Sequence, residues 1–343
     1  MLKLLALLLA LALAAVAGAW WWTQQPLPLA ADRVEISVPA GASLRTAADQ
    51  AVQGGVRTHA DALYGYFRLA VGQQTIKPGD YLVTRGMTPG DLLDKMVRGE
   101  RIVLTVTLVE GWTFRQFRDA LARAEHLRHD TADLSPAEIM HTLGKPGVAA
   151  EGRFFPDTFH YFKNASDVDI LRQSMQLMDR RLQAAWDARA PGLPLKTPDD
   201  ALKLASIVEK ETGRASERAE IAGVFINRLR IGMRLQTDPT VIYGLGEGFE
   251  GRLRRVHLDT DTPFNTYTRA GLPPTPIAMP GRASLMAAVQ PADTRALYFV
   301  ARGDGSSHFS GTLGEHNRAV DKYIRGRGPA PAALPAPASG GGG

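Results

Sequence analysis

The first apolar pattern in the chain is an uninterrupted run from residue 4 to residue 22. The run carries no charge, follows Lys3 and ends on three tryptophans, Trp20 to Trp22. Its length and composition fit either a membrane-spanning helix or a secretory signal. Ala17-Gly18-Ala19 resembles a signal-peptidase site, but tryptophans at the end of an apolar run are typical of an anchor at the membrane interface. We therefore predict an uncleaved transmembrane anchor over residues 1–22, with the N-terminus in the cytoplasm and the following domains outside it.

Alternating and helical patterns over residues 33–108 predict a small α+β module. Alternation indicates strands, and apolar positions three and four apart indicate helices. The predicted elements are strands over 34–38, 79–83 and 101–109, and helices over 44–52, 60–70 and the residues after Thr88. The opening Val38-Pro39-x-Gly41-x-Ser43-Leu44 is similar to that of a LysM module, a glycan-binding fold. A plain scaffolding domain fits the same residues.

Helical periodicity dominates the rest of the chain, so we expect a mainly helical domain over 109–327 and an α+β protein as a whole. Helices are predicted over 113–126, 135–143, 167–188, 199–212, 216–230, 282–289 and 312–325, and a strand over 297–301. Residues 151–159 are predicted to form an aromatic loop, and residues 236–281 a long stretch of loops, because Pro, Gly, Asn and Thr are frequent there. Long loops in a compact domain are usually functional. The Pro/Ala/Gly segment 328–343 is predicted to be a disordered tail.

One of these helices carries a carboxylate on its apolar face. At about 100° per residue, Glu211 falls within a wedge of roughly 60° that also holds Leu204, Ile207 and Val208. Burial there raises the pKa of a carboxyl group, as a general acid near neutral pH requires. Glu209 projects to the side, and we expect it to be solvated or to support Glu211. The alternative is that Glu211 is a structural residue paired with a nearby arginine such as Arg214 or Arg218.

Composition excludes several chemistries. The chain has no cysteine, so it has neither disulfides nor a thiolate nucleophile. Its eight histidines show no His-Glu-x-x-His motif, and we predict no metal and no cofactor. Gly-x-Ser-x-Gly and Walker motifs are absent from the sequence. The formal net charge is only +5, with basic residues scattered among acidic ones, which is not the pattern of a nucleic-acid-binding protein.

The predicted loops carry a second set of polar side chains. Amides, hydroxyls and aromatic faces together suit a sugar, whose hydroxyls need donors and acceptors and whose ring faces need apolar partners. The candidates for binding it are Gln236, Asp238, Tyr243, Asn265 and Tyr267. Ordinary turn chemistry explains the same residues one by one. Glu151 and Asp157 are further candidates, with a structural role equally open.

Longer motifs give a family resemblance. The block Glu209-Lys210-Glu211-Thr212 is followed by Asn227-Arg228-Leu229 and then by Leu235-Gln236-Thr237-Asp238-Pro239-Thr240. Asn265-Thr266-Tyr267 and Gly271-Leu272-Pro273-Pro274 come later in the same order. Together they closely resemble the YceG-like (MltG) family of endolytic murein transglycosylases. The resemblance extends from the N-terminal anchor to about Tyr323.

The resemblance implies a single-pass inner-membrane enzyme that cuts nascent peptidoglycan strands internally, with its catalytic domain over 109–327 in the periplasm. It implies that Glu211 is the catalytic residue and protonates the glycosidic oxygen between N-acetylmuramic acid and N-acetylglucosamine. The muramoyl C6 hydroxyl then closes onto C1, which leaves 1,6-anhydro ends and terminates strand elongation. It also implies peptidoglycan synthases (penicillin-binding proteins) as partners.

Two other functions remain open. The chain fits a membrane-tethered scaffold that binds peptidoglycan without cutting it, in which Glu211 is structural. It also fits a hydrolytic muramidase, which produces reducing ends instead of anhydro ends.

Overall fold

A computed structural model describes residues 2–211 and 214–326. Thr212, Gly213 and the predicted tail 328–343 lie outside the described residues. The chain divides into two compact units. The smaller unit comprises residues 1–106, 124–128 and 160–166, and the larger unit comprises residues 107–123, 129–159 and 167–343.

The smaller unit begins with an apolar helix, α1 (Leu2–Thr23). By length and composition its segment Lys3–Thr23 is able to cross a membrane, a test that a signal sequence also passes. The large apolar side chains along α1 are exposed, as a lipid-facing helix requires. Trp22, near the end of α1, packs against the core of the smaller unit. Leu27, a few residues later, is buried and donates its backbone N–H to the carbonyl of Met87 at 2.7 Å.

The rest of the smaller unit is a two-stranded sheet covered by helices. Its elements are β1 (Arg33–Val38), α2 (Leu44–Gln53), α3 (Ala60–Ala70), β2 (Gly79–Thr84) and α4 (Pro89–Arg98). β1 pairs antiparallel with β2, and Ile36 lies opposite Tyr81. Both side chains are buried, with Phe67 of α3 and Leu92 of α4 in the same core. Thr88 and Asp91 form a capping box at the start of α4. These strands and helices confirm the elements predicted before residue 100.

The chain crosses between the units in β3 (Leu104–Thr107) and β4 (Thr158–Tyr161). The larger unit is mainly helical, as predicted. Its helices are α5 (Phe114–Ala122), α6 (Pro136–Thr142), α7 (Asp167–Asp187), α8 (Pro198–Glu211), α9 (Arg218–Arg230), α10 (Asp238–Leu245), α11 (Arg255–Asp259), α12 (Arg282–Val289) and α13 (Leu313–Tyr323). A hairpin of β5 (Tyr298–Ala301) and β6 (Ser307–Ser310) precedes α13.

The core of the larger unit is built around α8, which packs against α7, α9, α10 and α12. Leu204, Ile207 and Val208 of α8 are fully buried there. Thr197 and Asp200 cap the start of α8, because each side chain accepts a hydrogen bond from the backbone N–H of the other. The cap, the proline at the first helical position and the apolar stripe confirm the predicted helix up to Glu211.

Several local features differ from the predictions. Residues 236–281 are not continuous loops, because they contain α10 and α11. Pro239 lies in the first turn of α10, where proline is favoured, and Val241 of the same helix is buried. The helix predicted over 216–230 begins two residues later, at Arg218, since Ser216 lies in a 3₁₀ turn over Ala215–Glu217 that leads directly into α9. The strands β4 and β6 were not predicted. β3 covers only the centre of the predicted strand 101–109.

Candidate active site

Glu211 lies at the end of α8, on the wall of a cavity of about 490 Å³. The cavity belongs entirely to the larger unit. It is lined by Glu211, Arg228, Leu235, Gln236, Asp238, Tyr267, Tyr298, Phe299, Leu313, His316 and Asn317. No group of three or more His, Asp or Glu side chains arranged to hold a metal ion occurs among residues 2–211 and 214–326.

Among the described residues, Glu211 is held by a hydroxyl group and not by an ion pair. Thr237, itself 1% exposed, donates a hydrogen bond from its hydroxyl to Oε1 of Glu211. Burial raises the pKa of Glu211, and the negative charge of Asp238 raises it further. The Thr237 hydrogen bond and the positive charge of Arg228 oppose this rise. The balance favours a carboxyl group that keeps its proton at a higher pH than a solvated glutamate does.

The arginines that were the structural alternative for Glu211 have other partners. Arg214 donates to the backbone carbonyl of Asp304 at 2.8 Å. Arg218 lies 3.6 Å from Oε1 of Glu209. Within the described part of the chain, Glu211 forms no salt bridge with either residue.

A chain of threonine hydroxyls fixes Thr237. Its backbone N–H donates to the hydroxyl of Thr266 at 3.0 Å, and its carbonyl accepts from the hydroxyl of Thr240 at 2.8 Å. The two hydroxyls of Thr240 and Thr266 are 2.9 Å apart. All three threonines are buried. Because the network uses the backbone of Thr237, its side-chain hydroxyl is left for Glu211.

Arg228 places a buried positive charge beside the carboxyl group. Its guanidinium donates to the backbone carbonyls of Leu297 and Leu235, and its Cζ lies 5.3 Å from the ring centroid of Tyr298. The residue is 7% exposed and makes no salt bridge to a described residue. A buried cation without a carboxylate in contact favours negative charge nearby. Arg228 therefore stabilises the ionised form of Glu211.

Three of the predicted sugar-binding residues line the same cavity. Gln236 has φ +50, a left-handed conformation that is strained for a residue other than glycine. Asp238 begins α10, and its Oδ1 accepts a hydrogen bond from the hydroxyl of Tyr267 at 2.5 Å. The structure thus brings Gln236, Asp238 and Tyr267 together with Glu211, although they are separated by up to 56 positions in the sequence.

Four other predicted residues lie outside the cavity lining. The side-chain amide of Asn265 is 1% exposed and donates to three backbone carbonyls, and its oxygen accepts from the N–H of Tyr267 at 2.9 Å. Glu151 is buried and accepts from the hydroxyl of Tyr243 at 3.1 Å. Asp157 is exposed and accepts from its neighbour's backbone N–H.

Glu151 also caps a helix from within the core. Both of its carboxylate oxygens accept from the backbone N–H of Phe114, the first residue of α5. Burial raises the pKa of Glu151 to about 7, although these hydrogen bonds and that of Tyr243 oppose the rise. The carboxyl group therefore titrates near neutral pH, within the folded structure and away from the cavity.

Glu209 is buried and supports the end of α8. Of the two roles expected for it, the solvated one was wrong. Its side chain is 7% exposed. Its Oε2 accepts from the backbone N–H of Gly281 at 2.9 Å, and its Oε1 faces Arg218. Burial, together with the charge of Glu209, raises the pKa of the neighbouring Glu110. Glu209 thus joins α8 to the residue that precedes α12.

Sequence reasoning missed one entire side of the cavity. β5 contributes Tyr298 and Phe299, and α13 contributes Leu313, His316 and Asn317. Helical spacing of Leu313, His316 and Asn317 is a signal in the sequence, because positions three and four apart share a face. Nothing in that spacing indicates that the face meets Glu211, about a hundred positions earlier.

Comparisons with known proteins agree with this architecture. The model of the YceG-like family matches residues 36–322. The endolytic murein transglycosylase of Bacillus subtilis is 29% identical over 315 residues, which cover 85% of this chain and 85% of that protein. The endolytic murein transglycosylase of Streptococcus pneumoniae serotype 2 is 25% identical over 328 residues, which cover 86% of this chain. The matched region spans 59% of the length of that relative.

The fold is also similar to that of a solved structure. The crystal structure of a YceG-like protein from Listeria monocytogenes superposes with a TM-score of 0.53 at 27% sequence identity. The superposition covers 83% of this chain and 98% of that one. Because the family model matches most of the chain, from β1 to α13, the chain belongs to the YceG-like family.

Proposed function

We propose that this chain is an endolytic murein transglycosylase and that Glu211 is its catalytic acid and base. The observation that carries the proposal is a carboxyl group with a raised pKa on the wall of a polar cavity, without a salt bridge to a described residue. The relatives named endolytic murein transglycosylase support the substrate class.

A single carboxyl group is sufficient for this reaction. Protonated Glu211 donates its proton to the glycosidic oxygen, and the bond from that oxygen to C1 of N-acetylmuramic acid breaks. The C6 hydroxyl of the same sugar attacks C1, and its proton passes to the Glu211 carboxylate. The product is a 1,6-anhydro end, no water is consumed, and the acid is regenerated. A second catalytic carboxylate, as hydrolytic glycosidases require, is unnecessary.

The surroundings of Glu211 suit both states of the carboxyl group. Burial and Asp238 keep it protonated before the bond breaks. Once the proton has left, the Thr237 hydroxyl and Arg228 stabilise the carboxylate until it takes the second proton. Electrostatic groups that are already in place cost no reorganisation during the reaction.

The other candidate residues divide into two roles in this proposal. Gln236, Asp238 and Tyr267 line the cavity and contact the sugar. Asn265 holds the backbone of Tyr267, and the pair Glu151 and Tyr243 fixes α10 against α5, so these three position the site without touching the glycan. Binding of glycan by the exposed Asp157 stays a prediction.

We also propose that α1 is an uncleaved anchor in the cell inner membrane, with the N-terminus in the cytoplasm and both units in the periplasm. The packing of Trp22 and the burial of Leu27 support an anchor that continues directly into the smaller unit. The order of the elements, β1, α2, α3, β2, and the Ser43 cap of α2 support a LysM-like glycan-binding module. An enzyme placed there acts on new strands beside the peptidoglycan synthases, which are its proposed partners.

Product analysis tests the proposed function. The full-length protein in detergent is incubated with uncrosslinked peptidoglycan strands, beside Glu211→Gln and a control with the same substitution, Glu220→Gln. Glu220 lies in the first turn of α9 and is absent from the cavity lining. We expect anhydro ends from the wild type and the control. Removal of the acid is expected to lower the rate by about 10²–10⁴-fold.

Each other outcome contradicts a defined part of the proposal. Reducing ends indicate a hydrolytic muramidase. Binding of strands without cleavage by any variant indicates a scaffold. Equal cleavage by the wild type and Glu211→Gln removes Glu211 from the chemistry.

A further inference from the structure

The α13 side of the cavity presents three side chains in one stripe. Leu313, His316 and Asn317 are spaced three and four positions apart, so they share a face of the helix, and all three line the cavity. Leu313 is 55% exposed although it is a large apolar residue. An exposed leucine beside polar groups in a cavity suits a ligand that has both an apolar and a polar end.

The His316 ring is fixed by its neighbour. It stacks on the ring of Tyr298 with a centroid distance of 5.1 Å and an interplanar angle of 23°. Nδ1 is buried and has no hydrogen-bond partner among the described residues. Because Nδ1 is buried, Nε2 is the ring nitrogen available to a ligand.

The surroundings of His316 favour its neutral form. Burial lowers the pKa of His316, and the positive charges of Arg228 and His308 lower it further. His316 also lies in the first turn of α13, where the helix dipole disfavours positive charge. A neutral imidazole carries one N–H, and a proton on Nδ1 would bury an unpaired donor. The tautomer with the proton on Nε2 keeps the N–H available to a ligand and leaves only the lone pair of Nδ1 buried.

We propose that His316 is a positioning residue of the cavity, which donates a hydrogen bond from Nε2 to the carbonyl oxygen of an acetamido group on the glycan. Leu313 packs against the methyl group, and the Asn317 amide faces the remaining polar atoms. The subsite thus selects an N-acetylhexosamine and holds it beside Glu211. This inference rests on the proposed function for its substrate class.

Binding measurements distinguish a hydrogen-bond donor at His316 from a residue that only packs. The probes are chitotetraose, which carries acetamido groups, and cellotetraose, which carries hydroxyl groups in their place. The protein is the full-length Glu211→Gln variant in detergent, so that no bond is cut. We expect chitotetraose to bind at least about tenfold more tightly than cellotetraose, as one well-placed hydrogen bond and a buried methyl group allow.

Two substitutions at His316 discriminate further. His316→Gln places an amide N–H near the position of Nε2 and gives up the ring, whereas His316→Phe keeps the stack on Tyr298 and gives up the donor. We expect Gln to retain chitotetraose affinity within about threefold and Phe to lose about tenfold. His141→Phe is the control, because His141 is exposed on α6 of the same unit and does not line the cavity.

The opposite order overturns the proposal. If Phe retains affinity and Gln loses it, His316 acts only through packing. Equal binding of both oligosaccharides, or no binding of chitotetraose, removes the acetamido subsite. Nitrogen-15 NMR of the imidazole must also show the proton on Nε2 near neutral pH. Since cleavage by the wild type is measured separately, failure of this subsite is distinguishable from failure of the transglycosylase proposal.

Discussion

The pKa of Glu211 results from a balance between burial and two groups that stabilise its carboxylate. Burial and Asp238 favour the protonated form, whereas the Thr237 hydroxyl and Arg228 favour the carboxylate. The free enzyme needs the protonated form to begin the reaction. We therefore expect kcat/KM to fall as the pH rises through the pKa of Glu211.

Thr237→Val removes one of the two groups that favour the carboxylate. Valine has a similar shape but no hydroxyl, and the bonds to Thr240 and Thr266 survive because they use the backbone. Loss of a donor to the carboxylate raises the pKa of Glu211, so the alkaline fall of kcat/KM moves to higher pH. Thr237→Ser keeps the donor and is expected to keep the wild-type profile. An unchanged profile in Thr237→Val contradicts the proposed contact.

The sequence predicts Glu211 but not the groups that tune it. Helical spacing alone puts Glu211 on the apolar stripe of α8. Thr237 and Arg228 approach it only after the chain has folded, from positions 26 and 17 residues away, and no local pattern specifies such contacts. Glu209 shows the same limit, since the helical wheel gives its direction but not the Gly281 backbone that covers it.

Helices were predicted better than the connections between them. Caps and apolar stripes are local, so α4 begins directly after Thr88 and α8 begins within one residue of its predicted start at position 199. α10 was missed because it is short and lies among turn-forming residues. The close approach between Gly152 and Pro276, in the segment before α12, depends on tertiary packing, and no sequence pattern predicts it.

Gly152→Ala tests that approach. Gly152 has φ +79, and a Cβ there would lie 2.4 Å from Cβ of Pro276. We expect a loss of about 2–4 kcal/mol in unfolding free energy from the clash and the backbone strain together. Gly147→Ala is the matched control, because Gly147 has φ +77 and open space around it. The control is expected to lose only about 1 kcal/mol.

Denaturant unfolding measures both glycine variants. Equal losses would mean that Gly152 is required for its backbone conformation alone. In that case the packing between Gly152 and Pro276 does not hold the Glu151 segment in place.

The stability of the whole protein should depend on pH through Glu151. Its pKa is about 7 in the folded state, against 4.5 for an ordinary glutamate. Between these values the folded state holds a proton that the unfolded state has released, so stability falls as the pH rises. The loss through this one group amounts to about 3 kcal/mol across the window.

Glu151→Gln removes the titration. The free energy of unfolding, measured from pH 4.5 to pH 8, is expected to vary less in this variant than in the wild type, with the difference concentrated between pH 4.5 and 7. Glu220→Gln is again the control. A pH dependence identical to that of the wild type would show that Glu151 ionises as freely in the folded protein as in the unfolded chain.

The central claim is that Glu211 gives a proton to the glycosidic oxygen and takes one from the C6 hydroxyl of the substrate, and that water takes no part. Cleavage of glycan strands in water enriched in oxygen-18, followed by mass spectrometry of the new ends, tests it directly. The account predicts 1,6-anhydro ends that contain no heavy oxygen and that disappear in Glu211→Gln. Reducing ends that carry oxygen-18 would contradict it, because they require water as the nucleophile.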